Sequence, residues 1–235
     1  LENTGNFNGE DIVKIICNQE STARFISRHL YDFFVADEEP VPQWNYTEPN
    51  NPEAIDELVQ IYFDSDHNIS AMLEAIFYSD YFTQSEFSRV KCPAEIVAGT
   101  LRMSGSIQSP SDKIFSSGNI TGYMGQMLLN PPSVEGWHEG TEWINSGALV
   151  ERVNFASAEI GDLTNPGIRS LVSRIVESLQ VDEPNFSSEE LINTCTDFLG
   201  VAPMGDSIKQ TLINLLDSQG DFAQYTDNGG IIIYG

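Results

Sequence analysis

The chain is poor in positive charge: eleven Lys and Arg stand against 35 Asp and Glu, a formal net charge of −24. Such a field repels phosphate backbones and anionic headgroups over about 8 Å at physiological salt, so neither nucleic acid nor a membrane surface is expected as a partner. Cysteine is scarce as well. Cys17, Cys92 and Cys195 share no two-residue spacing, which excludes zinc ribbons and thiol-redox motifs and allows one bridge at most. Cys17 and Cys195 fall within apolar helical patterns, so buried thiols are expected rather than a disulfide. No apolar run approaches the ~20 residues of a membrane span, and no basic-then-apolar leader opens the chain, so the expectation is a soluble chain with no membrane insertion. Gly-x-Ser-x-Gly elbows, phosphate-binding glycine loops and His-Glu-x-x-His are missing, which removes the commonest hydrolase, nucleotide and zinc-protease signatures. His29, His67 and His138 lie far apart with no His or Cys at metal spacing, so neither a metal nor a cofactor is expected.

What is present is helical periodicity. With 235 residues, 40% of them hydrophobic, the chain can bury a core without staples. Asn51-Pro52 pairs a capping side chain with proline at the first helical position, ahead of a stripe of Ile55, Leu58, Val59 and Tyr62. Asn165-Pro166 repeats the device before Ile168, Leu171, Val172, Ile175 and Leu179, and Ser187 with Glu190 forms a capping box closed by Gly200. Further helices are expected over 11–18, 21–36, 69–79, 93–103, 120–129, 148–160 and 206–218. The reading is an all-α, irregular multi-helix domain of about ten helices, with Ile231 to Tyr234 as one short strand or a frayed tail. Three long ordered loops are expected, over 37–51, 104–118 and 130–147. Residues 101–150 hold four acids where each neighbouring block of fifty holds nine, which places the Trp137 and Trp143 region centrally. The expected organisation is a helical core over 1–160 and a looser helical appendage over 161–235.

Several constellations carry chemistry on paper. Asp64, Asp66, Asn68 and Ser70 alternate as calcium ligands do, but Ile69 replaces the turn glycine and Ala75 the bidentate glutamate, so Asn68 reads as a helix cap instead. Arg24 and Arg28 share a helix face with Glu20 and Asp32 one turn away, as in a solvated stripe of i,i+4 pairs. A sharper reading brings Arg24, Arg28, Arg89, Lys91, Arg102 and Arg152 together on a carboxylate or phosphate, with internal bridges to residues such as Glu95 as the simpler account. His29, beside Phe25 and Phe33, reads as a half-buried core histidine, and Gly118, Gly122 and Gly125 read as helix glycines that permit close packing. Gln126, Trp137, His138 and Trp143 can wall a small-ligand pocket; equally, the tryptophans can plug a long loop into the core.

Taken together, Gly5 to Val13, Thr22 to Val35, Arg89 to Glu95, Leu101 to Gly105, Met124-Gly125-Gln126, Pro131 to Trp137, Trp143-Ile144 and Arg152 to Ala156 resemble the bacterial family catalogued as domain of unknown function 1800. The match departs at His29, where the family usually has lysine, and at Cys92, where it has a small or apolar residue. The resemblance implies that the family's N-terminal half precedes this segment, in keeping with the abrupt polar start at Leu1. It also implies export to the periplasm, cell surface or medium, and an exported partner protein resembling sulfatases. It carries over no catalytic residues.

Three functions follow as expectations. The first is a non-catalytic helical module that binds a protein or glycan partner through the loop Asn130 to Gly147. The second is a hydrolase of an extracellular polymer whose site is shared with the absent half; Arg24, Lys91, Arg102 and Gln126 would orient an anionic or sugar substrate beside Trp137 and Trp143, with Glu95 as base. The third is an anion-binding accessory domain using the same cations.

Overall fold

The computed structural model describes residues 5–134, 136–179, 187–200, 203–218, 224–227 and 230–233. Leu1, Glu135 and Tyr234, each part of a sequence feature above, lie outside them. The fold is all-α. Among the described residues it comprises eleven α-helices, two short 3-10 turns and one two-stranded antiparallel pair. The chain divides into two compact units, residues 1–98 with 112–155 and residues 99–111 with 156–235.

The first unit opens with α1 (Gly9–Cys17), started by a capping box in which Asn8 and Asp11 exchange hydrogen bonds, and α2 (Glu20–Phe34). Its core lies where α2 packs on α3 (Pro52–Asp64) and α3 on α4 (Ile69–Tyr78). Asn51 caps α3 by accepting from the Ala54 amide, and the stripe read from the sequence is buried through Ile55, Leu58 and Tyr62, with Val59 partly so. Tyr31, Met72 and Ile76 complete the cluster, and Tyr62 donates its hydroxyl to the Cys17 carbonyl at 3.0 Å. Each fully buried large side chain here contributes about 1.5–3 kcal/mol of hydrophobic stabilisation. Asn68 caps α4 through the Ser70 amide, as its sequence position suggested.

One expectation is corrected at α2. Arg28 does not join a solvated stripe: it is 5% exposed and grips Glu38 through Nε and Nη2 at 2.9 and 2.7 Å. Its remaining donors reach the carbonyls of Thr47 and Glu48, and its guanidinium lies 4.7 Å from the Trp44 ring centre. The burial of α2 against the loop turns Arg28 inward, and Asp32, its supposed partner, accepts from the Glu38 amide instead. Glu38 also accepts from the Asn50 amide, so this one ion pair ties down the 37–51 loop, which includes the 3-10 turn Val41–Gln43. His29 is half-buried as read, its ring 4.4 Å from that of Phe25 and 4.6 Å from that of Trp44.

The unit continues through the single turn α5 (Asp80–Thr83), the start of α6 (Pro93–Ser104), α7 (Asp112–Tyr123), a 3-10 turn (Gly140–Trp143) and the larger part of α8 (Ser146–Ile160). The helix expected over 120–129 is displaced: α7 begins at Asp112, inside the expected second loop, and the chain leaves helical geometry at Gly125, whose φ is +101°. Met127, Leu128 and Leu129 are consequently exposed rather than forming a buried stripe. Gly118 and Gly122 are not close-packing sites, since a Cβ would meet only single atoms at 3.9–4.0 Å.

The second unit holds the end of α6, α9 (Pro166–Ser178), α10 (Ser188–Leu199), α11 (Asp206–Ser218) and the antiparallel pair β1 (Gln224–Asp227) and β2 (Gly230–Ile233), registered Gln224 to Ile233. Ile231 to Ile233 therefore belong to a paired strand. α9 buries Ile168 and Ile175, but Asn165 does not cap it; its amide turns back to the Glu159 carbonyl at 3.2 Å, leaving Pro166 to start the helix. The tight glycine of this unit is Gly167, where a Cβ would stand 2.1 Å from the Met103 carbonyl oxygen, so α9 crosses the end of α6 at backbone contact. The capping box of Ser187 and Glu190 and the left-handed stop at Gly200 form as read. Cys17, Cys92 and Cys195 are free thiols of intermediate exposure. Among the described residues no helix is long and apolar enough to cross a membrane.

Candidate functional site

The first unit contains a cleft of about 360 Å³, within the range of small-ligand sites. Five chain segments supply it: the end of α2 with Asp32 and Phe33, the following Asp37, the stretch Arg89 to Glu95 that starts α6, Gln126 after α7, and the loop from Gly136 to Trp143. The loop is held by its own aromatics. Trp137 donates its indole N–H to the Met127 carbonyl at 3.2 Å, while Trp143, 4% exposed, lies 3.8 Å from the position a side chain on Gly125 would take. At Gly140, whose φ is +54°, a Cβ would stand 3.4 Å from the Asp37 side chain, so a larger residue would be strained by both the conformation and the approach.

Carboxylates dominate the polar lining. Asp37 accepts from the Val90 amide at 2.8 Å and stands 3.9 Å from the Arg89 Nε; Arg89 in turn covers the Phe33 ring at 5.4 Å. Asp32 accepts from the Glu38 amide at 2.7 Å. Burial pushes its carboxyl up to about 6, with the charges of Glu139 and Asp37 adding to the rise and the Glu38 hydrogen bond and Arg89 opposing it. Asp32 can therefore hold or release a proton near neutral pH; Asp37 and Glu139 act on it as further carboxylates, Glu95 lines the same cleft and Arg89 supplies the cation.

Gln126, 9% exposed, accepts from the Ala94 amide at 2.8 Å through its side-chain oxygen, which fixes the orientation of its amide at the cleft wall. Cys92 donates its amide to Glu95 at 2.7 Å, and Arg152 on α8 donates to the Lys91 carbonyl at 3.0 Å. Among the described residues no group of three or more His, Cys, Asp and Glu is disposed to hold a metal ion.

The matching family model, described as Protein of unknown function (DUF1800), spans residues 1–233. The chain belongs to this family. No curated protein and no solved structure matches it.

Of the residues read from this DUF1800 sequence, the structure brings Glu95, Gln126, Trp137 and Trp143 to one cleft. Arg89 and His138 line it too, while Arg24, Lys91 and Arg102 stand elsewhere. Arg24 is exposed on α2, paired with Asp56 at 2.6 Å and Glu20 at 3.3 Å, which holds its guanidinium above the usual arginine range. Lys91 is exposed and takes part through its backbone, and Arg102 is exposed in the second unit. Asp32, Asp37 and Glu139 had no signal of their own among 35 acids. Only the fold distinguishes them, by seating them against aromatic rings and one arginine.

Proposed function

We propose that the first unit of this DUF1800 chain is a binding module for a glycan bearing neutral or amino sugars, which it takes in the cleft beside Trp137. One observation carries the reading: aromatic rings and carboxylates share the walls of a cavity of about 360 Å³. Sugar rings present apolar C–H faces, which pack on indole and phenyl rings, and equatorial hydroxyls, which donate to carboxylates and accept from an amide such as that of Gln126. Four carboxylates against Arg89 disfavour an anionic ligand and suit one that is neutral or carries an ammonium group. The family resemblance supports placing the module on an exported protein, with an exported sulfatase-like protein as its partner.

A thermal-shift screen against neutral, amino, sulfated and uronic oligosaccharides tests the reading. Stabilisation by the first two classes that is lost in Trp137→Ala is expected, since a ligand that binds only the folded state raises Tm. Stabilisation by the anionic classes alone would contradict it.

Asp32 favours a second reading, a glycan hydrolase. A carboxyl protonated near pH 6 with further carboxylates in the same cleft is an arrangement in which one group can act as acid and another as base. In that case Asp32, with Glu95 or Glu139, would serve the cleavage of the bound polymer, and release of reducing ends would fall as pH rises past 6. A soluble oligosaccharide left uncut after long incubation at pH 5 would leave the module reading alone.

A further inference from the structure

The stretch from Ile114 to Val134 contains no Asp, Glu, Lys, Arg or His, in a chain where 20% of the residues are charged. Absence of charge ordinarily accompanies burial. Here it accompanies exposure: Phe115 is 78% exposed, Leu129 97% and Val134 fully, while Ile114, Met127 and Leu128 are roughly half exposed. Leu129 is moreover held at φ +62°, a left-handed conformation that a bulky residue rarely adopts.

These residues are neighbours in space. Ile114, Gly118 and Gly122 follow at four-residue spacing along α7, so they share one stripe that is bare beyond Ile114, and Phe115 borders it. After Gly125 the chain doubles back over the bare part. The Leu128 Cδ1 is 4.0 Å from the place a Cβ on Gly118 would take, and the Met127 Cα is 3.9 Å from that on Gly122. Trp137 holds this turn through the Met127 carbonyl at 3.2 Å, and Val134 lies in the turn closed by the bridge between Ser133 and Gly136. The six apolar residues expose on the order of 700 Å² together, against roughly 300–600 Å² for the largest patch on a typical monomer and about 800 Å² given by each partner to a standard interface.

We propose that this face is the contact of a symmetric dimer, in which Phe115, Leu129 and their neighbours pack against the same residues of a second copy of the chain. The charge pattern selects this occupant. A cationic partner would be drawn to the carboxylates that give the chain its net charge of −24, and a face without charge forgoes that attraction. A second copy carries the same field and is repelled wherever acids meet acids. A two-fold contact sets each patch against itself, so it requires a face that tolerates its own copy. Because the contact is apolar and the rest of the two surfaces repel, the dimer tightens as salt screens the repulsion, the reverse of an interface held by opposite charges. The contact is independent of what the cleft takes.

Sedimentation velocity over a concentration series, at about 0.05 and 0.5 M NaCl, tests this. The protein is expected to show a reversible monomer–dimer equilibrium that tightens at least about threefold at the higher salt. Leu129→Asp and Phe115→Asp each set a carboxylate against its own copy and should weaken the dimer at least about tenfold. Both side chains are exposed, and aspartate tolerates the left-handed conformation at position 129 better than leucine, so neither variant should lower Tm. Ile12→Asp, at an exposed apolar position on α1, is the control and should leave the equilibrium as it is. A parent that sediments as a monomer at every concentration would overturn the proposal, whether a different protein or nothing then covers the face. So would a dimer that dissociates as salt rises, one that survives Leu129→Asp and Phe115→Asp, or association that Ile12→Asp weakens as much as they do.

Discussion

Two arginines of the first unit are buried to nearly the same degree and live in opposite surroundings. Arg28, 5% exposed, spends its donors on Glu38 and on the carbonyls of Thr47 and Glu48. Arg152, 8% exposed, has one acceptor and two idle nitrogens. The first is a latch: its network closes on itself, holds the 37–51 loop against α2 and leaves nothing for a ligand. The second donates to the Lys91 carbonyl, within the stretch Arg89 to Glu95 that lines the cleft. Full pairing marks the region built for stability, and incomplete pairing marks the one where chemistry remains available.

The contrast breaks most visibly at the latch. Glu38→Ala strands a buried guanidinium and should cost about 3–5 kcal/mol, read by guanidinium chloride denaturation. A loss below about 1 kcal/mol would show that the pair is not the anchor of the loop. Leu58→Ala, at a position with no exposure in the α2–α3–α4 core, should cost about 3 kcal/mol by opening a cavity.

Asp32→Asn acts at the cleft and depends on pH. Because the folded carboxyl titrates at about 6, above its unfolded value of 3.8, the stability it confers is fully present below pH 3.8 and is lost as pH rises through 6. Asparagine removes that loss while its oxygen still accepts from the Glu38 amide. Stability should rise by about 1 kcal/mol above pH 7, a figure reduced for solvent screening of a half-buried group, and be unchanged near pH 3. Melting curves across this range check the sign. Smallest of all, Arg152→Met should shift stability by less than about 1 kcal/mol, toward stabilisation, since it replaces an unpaired buried charge by an apolar chain. A loss as large as that of Glu38→Ala would mean that the two arginines play the same part.

Local signals were legible wherever the chain's own neighbours decide the structure. The Asn51 and Asn68 caps, the Ser187–Glu190 box and the Ile55, Leu58 and Tyr62 stripe need only residues three or four positions apart. The errors fell where distant segments compete. Asn165 has the sequence of a cap, yet the Glu159 carbonyl takes its amide. The apolar residues after Gly125 keep helical spacing, but a positive φ at that glycine ends the helix. Arg28 and Asp32 sit one turn apart, and Glu38 from the loop takes both.

The cleft follows the same rule. Trp137, Trp143, Gln126 and Glu95 were visible as rare or well-placed residue types. Asp32, Asp37, Glu139 and the pairing state of Arg152 become distinct only through burial and the contacts of segments far apart in the chain.

The central claim, that the cleft beside Trp137 receives a glycan, is tested most directly by isothermal titration with neutral and amino-sugar oligosaccharides, in the parent protein and in Trp137→Ala and Asp37→Asn variants that remain folded. The account predicts saturable heat in the parent, at least about tenfold weaker binding in Trp137→Ala, and weaker binding of the amino sugar in particular in Asp37→Asn. Binding that survives both substitutions unchanged, or no binding of either sugar class to the parent, would contradict it.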